Sequence, residues 1–258
     1  MGKLFKIEMM KLRKSTAMLV LLIVAIALSL LNVGVYGLVN LVSDSLLSVF
    51  GKVDGYNMAV TMTSDTSDIM MMVVILMAVL IGGDFSARTL QTQVAAGYSR
   101  FKIIISRFIT VAISYVILYT LYFSITVIGM TIIFGFGDGI TSDMVSELVL
   151  KLFLSFIMAM TMLSMYMLFA FLLKSTGATI GVCLPVMLFG VSIIQMLSMV
   201  SEVVYDIISF TPFGQSMLLG DMFGLEEVEP IKFICVCIVW FSGFMSLSFL
   251  SFRKAELK

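Results

Sequence analysis

The residue types that support bond chemistry are sparse in this chain, and their spacing argues against most of that chemistry. Histidine is absent, which removes the commonest general base and the commonest metal ligand. Gly135-Phe136-Gly137-Asp138 forms a GxGD pattern, and Tyr205-Asp206 offers a second aspartate. Two aspartates sharing one proton can activate water. Both stand at or beyond the ends of apolar runs, in the reverse chain order from intramembrane aspartyl proteases, so a glycine-rich turn is the simpler reading. Cys183, Cys235 and Cys237 lie inside apolar runs. Residues two apart on a helix face different directions, so no zinc site or disulfide is expected and the cysteines read as small apolar residues. A phosphate-binding loop needs G-x-x-x-x-G-K-[ST]. Lys52 follows Gly51 but precedes Val53, and Lys174 precedes Ser175 but follows Leu173. No catalytic residue, cofactor or metal is therefore assigned to this chain.

The elements that carry these residues are membrane spans. Apolar stretches run over about 16–39, 67–83, 108–134, 148–173, 178–200 and 231–252. Each is close to the ~20 residues needed to cross a bilayer core. Charged residues make up 12% of the chain, about half the share of soluble domains. The charges are sorted by side. All of the 16 Lys and Arg except Lys52, Lys151 and Lys232 fall on the side of the termini. Among the acids only Glu8, Asp84 and Glu256 share that side. Positive charge is retained in the cytoplasm, so both termini are expected there. The fold class expected is an all-α polytopic membrane protein with six transmembrane helices, a single domain over 1–258. The first span is too long for a cleaved signal and is expected to be retained. Gly2 lacks the downstream Ser or Thr that myristoylation needs.

Within the spans ionisable residues are nearly absent. Lys151 sits near a span end, where it can snorkel, and Asn32 and Gln195 are the most polar candidates. Ion-coupled carriers keep Asp, Glu or His in the membrane, which argues against a secondary carrier, though coupling through backbone carbonyls stays open. Met70-Met71-Met72 and Met158, Met160, Met162, Met165 and Met167 cluster in the second and fourth spans. Thioethers suit adaptable apolar contact with a peptide or lipid-like cargo. Methionine at every second position cannot mark one helical face, so these residues read as lipid-facing filler.

Three extramembrane segments stand out. Residues 1–15 fit an interfacial helix, with Phe5, Met9 and Leu12 on one face, Leu4 nearby, and Lys3, Lys6, Arg13 and Lys14 on the other. Residues 84–107 spend over twenty positions where a short turn would do. Asp84 or Ser86 can cap a helix start, Ala87–Ala96 holds good helix formers, Gly97 suits a left-handed stop, and Ser99 can cap the next helix. Leu90 and Val94 make a small apolar stripe at helical spacing. Residues 201–230 mix apolar side chains with acids and fit short helices that dip back into the outer leaflet or pack flat upon it.

The run Asp-Phe-Ser-x-x-Thr-Leu, continued by Gly-Tyr-Ser-Arg-x-Lys and spanning 84–102, resembles the signature of permease subunits of type-2 ATP-binding-cassette exporters. The likeness is to those of Gram-positive bacteria that handle peptide antibiotics and toxins. Lys-Ile-Glu-x-x-Lys-Leu-Arg-Lys at 6–14 and Thr-Pro-Phe-Gly-Gln at 211–215 are similar to further motifs of that family. Many members place glycine where this chain has Arg88, taken here as variation at a helical position. The resemblance implies that 84–107 holds a coupling helix that docks on a separate ATPase. The interface it implies comprises Asp84, Phe85, Arg88, Thr89, Leu90, Gly97, Ser99 and Arg100, to which the stripe adds Val94. It further implies ATP and Mg on the partner ATPase, a second permease subunit (the same chain or a sister), a bacterial cytoplasmic membrane, membrane lipids as surroundings, an amphipathic peptide cargo and no nucleic acid. Other readings are a non-transporting membrane immunity or sensor scaffold and a secondary carrier.

Overall fold

A computed structural model describes residues 2–42, 54–137, 141–199, 201–219 and 229–254. Lys52, Asp138 and Glu227 lie outside the described residues. The elements are α1 (Gly2–Lys14), α2 (Thr16–Val42), α3 (Gly55–Ser64), α4 (Ser67–Met77), a π-helical turn (Ala78–Gly82), α5 (Gly83–Ser86), α6 (Thr89–Ala95), α7 (Arg100–Phe134), α8 (Ser142–Leu173), α9 (Thr176–Ser198), α10 (Glu202–Ser209), α11 (Pro212–Leu219) and α12 (Pro230–Lys254). Six helices are long and apolar enough to cross a membrane, at the six places the sequence indicates. The third differs most. It starts at Arg100 rather than near 108, and its 35 residues make a rod of about 52 Å, so its first turns stand outside a hydrocarbon core of about 30 Å.

Successive spans run in opposite directions, so α1, the 82–100 segment, the 173–176 turn and the end of α12 gather at one end, the basic end. α8 packs along α12, and α2 along α7. α4 and α8 occupy the middle: 61% of each one's most apolar window is buried, against 6% for α9. This corrects the reading of the methionines. Met70, Met72, Met158, Met162, Met165 and Met167 are buried. The two central spans meet other helices over most of their surface, and a pattern without a preferred face suits that position. Met71 does reach the surface.

Polar groups inside the bundle pair with one another. Asn32 Nδ2 donates to Tyr122 Oη at 2.9 Å, and Tyr122 Oη donates to Asp68 Oδ2 at 2.8 Å, linking α2, α7 and α4. Of the cations on the far side, Lys151 pairs with Glu147 at 3.0 Å and Lys232 lies over the Phe210 ring. The Gly135–Phe136 turn serves the backbone. Its carbonyls accept from the N–H groups of Gly55 and Tyr56 at 2.9 and 3.1 Å, which are orphan donors at the start of α3.

Helices α10 and α11 form a pair that packs against α9, and α11 also meets α12. Trp240 Nε1 donates to the Phe210 carbonyl at 2.6 Å, and Trp240 lies ten residues, about 15 Å, into α12. The motif at 211–215 makes the turn between the pair. Thr211 Oγ1 accepts from Gly214 N at 3.1 Å, and buried Gln215 donates through Nε2 to the Ser209 carbonyl. A β-carbon on Gly214 would stand 2.1 Å from the Ile208 carbonyl oxygen, so only glycine fits. α11 buries Pro212, Met217 and Leu219 against its neighbours, while Val203, Ile207 and Phe210 stay exposed as lipid-facing residues would.

Candidate functional site

The basic end is built around a buried charge cluster. The π-helical turn at the end of α4 widens the helix and breaks the regular i→i−4 ladder. Arg107 Nη1, reaching across from α7, donates to the Leu80 carbonyl in that turn at 3.2 Å. The same guanidinium pairs with Asp84 and, at 3.3 Å, with Glu8 of α1. Lys11 pairs with Asp84 from the other side. Thr89 Oγ1 donates to Asp84 Oδ1 at 2.6 Å, and Gln93 Nε2 donates to Glu8 Oε1 at 3.1 Å. Glu8, Asp84 and Arg107 are only 3%, 5% and 2% exposed. Charges buried this deeply persist only when paired and hydrogen-bonded, and here two carboxylates balance two cations. The cluster locks together α1, the π-helical turn after α4, α5, α6 and α7.

The segment after the cluster differs from the sequence expectation in its details. The helix is Thr89–Ala95, shorter than 87–96, and no side chain caps its start. Asp84 is not a cap but the centre of the charge cluster, and Ser86 Oγ donates to the Gly82 carbonyl at 3.1 Å. Arg88 has φ +55°. It is therefore not a helical position but a left-handed one, which costs an L-residue roughly 1–2 kcal/mol and glycine little. This is a physical reason for glycine to be favoured at that place. Gly97 stops the helix at φ +85°, as expected, and Ser99 Oγ accepts from Lys102 N at 3.4 Å to start α7.

The stripe of Leu90 and Val94 faces inward. Leu90 is fully buried and Val94 packs beside it against the core. The helix was expected to offer these residues to a partner. Instead they fasten it to the bundle, because Leu4, Leu12 and Ile103 bury their own side chains in the same core. Phe85 packs edge-on against Phe171 and Phe252, at 6.0 and 6.4 Å between ring centres. Arg100 Nη1 donates to the carbonyls of Phe252 and Arg253, both at 2.6 Å. These are terminal carbonyls of α12, where a cation suits the helix dipole.

The predicted site residues thus divide. Asp84, Phe85, Thr89, Leu90, Val94 and Arg100 hold the basic end together. Arg88, Gly97 and Ser99 are exposed, and with Ser86, Ala87, Thr92, Ala95 and Ala96 they make a surface of small and polar groups. α1 covers its inner side with Leu4, Glu8 and Leu12. Its outer face carries Lys6, Arg13 and Lys14 around exposed Ile7 and Met10. Periodicity alone centres the apolar face on Phe5, Met9 and Leu12, whereas Leu4, Glu8 and Leu12 are the buried positions and Phe5 and Met9 are half-buried. Glu8, Lys11, Gln93 and Arg107 join the site only through tertiary contact. Glu8 and Asp84 did carry a signal, as acids on the side where cations collect.

Among the described residues no group of His, Cys, Asp and Glu could hold a metal ion. The cysteines are free. The architecture is that of an all-α, multi-pass membrane protein with six spans. The family described as protein of unknown function (DUF2705) matches residues 22–257, and the chain belongs to that family. No curated protein matches it.

Proposed function

We propose that this chain is the membrane-spanning permease subunit of an ATP-driven exporter, working with a separate ATPase and a second permease subunit. The observation that carries this reading is α6. It is a short helix outside the spans, with a small, polar, exposed face, and its inner side is fixed to α5 by Thr89–Asp84, to α1 by Gln93–Glu8 and to the core by buried Leu90. A push on such a helix is passed on to two spans, because Arg107 of α7 pairs with Asp84 of α5 and donates to the Leu80 carbonyl in the π-helical turn that continues α4. The sorting of cations to this end supports a cytoplasmic orientation, where an ATPase would meet it. The chain contains no phosphate loop, so hydrolysis belongs to the partner, with its ATP and magnesium. Cargo is an amphipathic peptide, by the resemblance of the 84–102 motif to exporters of that kind.

The test is co-expression with a phosphate-loop ATPase subunit of the exporter class. Arg88→Glu and Thr92→Trp alter only the exposed face. Each should lower ATPase recovery on the tagged chain about tenfold, the equivalent of 1.4 kcal/mol, at unchanged membrane abundance. Leu90→Asp should instead lower the amount of folded chain. Normal ATPase recovery and normal ATP turnover with both surface variants would remove α6 from the coupling path. ATP hydrolysis by the pure chain would overturn the division of labour.

A further inference from the structure

A cavity of about 440 Å³ opens within the bundle, between the α3–α4 turn and helices α8, α9 and α11. This volume falls in the range of small-molecule sites. Its lining is two-faced. Thr61, Ser64, Asp65, Ser67, Ser155 and Ser216 supply oxygens, and Met70, Met158, Met162, Met187, Tyr166 and Phe213 supply an apolar floor. Along α8 the lining runs from Ser155 to Tyr166, about 16 Å, so the cavity is long enough for a chain rather than a compact solute. Asp65 is the one charged side chain among its described lining residues. One of its oxygens, Oδ1, already accepts from Ser67 N at 3.0 Å and from the Ser67 hydroxyl. An ionised carboxylate has about four acceptor positions, so capacity remains for a further donor.

We infer that this cavity binds a single-chain cationic amphipath, its ammonium or guanidinium group at Asp65 and its apolar chain along the methionines. A cation in such a place needs an anion and further acceptors, and Asp65 with the neighbouring hydroxyls provides both. An anionic head would meet a carboxylate and no Lys or Arg. Thioethers with three rotatable bonds adapt to chains of differing shape. The site involves neither α6 nor any ATPase, so it stands or falls separately from the function proposed above.

The test uses the purified full chain in an uncharged detergent with a photoreactive alkylamine, its alcohol analogue and its sulfate analogue. The amine should label peptides containing Met158 and Met187 saturably. The alcohol should bind more weakly by roughly tenfold or more, the scale of a hydrogen bond to a charged group, and the sulfate should not compete. Asp65→Asn keeps an acceptor for Ser67 and should bring the amine down to the level of the alcohol while leaving the alcohol unchanged. Val191→Trp narrows the cavity and should reduce labelling by both. Equal labelling by all three probes overturns the inference, as does labelling spread over exposed positions such as Ile132. An amine preference that survives Asp65→Asn overturns the placement of the cation. If Val191→Trp does not accumulate, the exposed Asp65 variant still decides.

Discussion

Replacing Arg107 with leucine would leave Glu8 and Asp84 buried with Lys11 as their remaining cation. The guanidinium now meets both carboxylates and the Leu80 carbonyl. Removing one partner of a buried pair costs about 3–5 kcal/mol, because the other charge stays desolvated and uncompensated. Arg107 answers two acids, so the upper half of that range is expected. The unfolding equilibrium should shift roughly a thousandfold or more, at 1.4 kcal/mol per factor of ten. The double variant Arg107→Leu/Asp84→Asn should be less damaging than the sum of its parts by about 1–3 kcal/mol, since each side chain is the other's partner. Reactivity of a thiol dye during denaturation gives the readout. Cys183 and Cys237 are buried and become reactive on unfolding, and exposed Cys235 is first changed to serine. A loss below about 0.5 kcal/mol in Arg107→Leu, within the usual scatter of surface changes, would refute the cluster as the fastening of this end. Strict additivity in the double variant would refute the pairing.

Arg88→Gly should be neutral to stabilising by up to about 1 kcal/mol, since relief of a left-handed residue outweighs glycine's added entropy, whereas Arg88→Val should destabilise; the same dye assay ranks them. Gly82→Ala should lower stability by roughly 1–3 kcal/mol, because a β-carbon there would stand 2.5 Å from the Thr176 backbone nitrogen, and a wild-type melt would sink that account of the α4–α9 contact. Cysteines placed at Asp54 and Asp143 should react with an impermeant reagent applied to intact cells and one at Gln91 should not; labelling at Gln91 would reverse the orientation that the charge sorting gives.

The sequence alone determined the six spans, their all-helical character, the absence of a phosphate loop and the sorting of charge between the two ends. These properties depend on local composition and length: a run of about twenty apolar residues admits few structures in a bilayer, since every backbone polar group must be satisfied within the segment. The stop at Gly97 and the start at Ser99 were legible for the same reason, being local backbone chemistry. Tertiary structure alone decided which faces are inside. Leu90 and Val94 read as a docking stripe because spacing gives a face but not the neighbour it meets, and that neighbour is the chain's own core. The methionines read as lipid-facing because burial of α4 and α8 depends on where the other four spans stand. The pairing of Glu8 with Arg107 joins residues 99 apart in sequence. No periodicity reports such a pair; it exists because the long α7, widened α4 and surface α1 end at the same level.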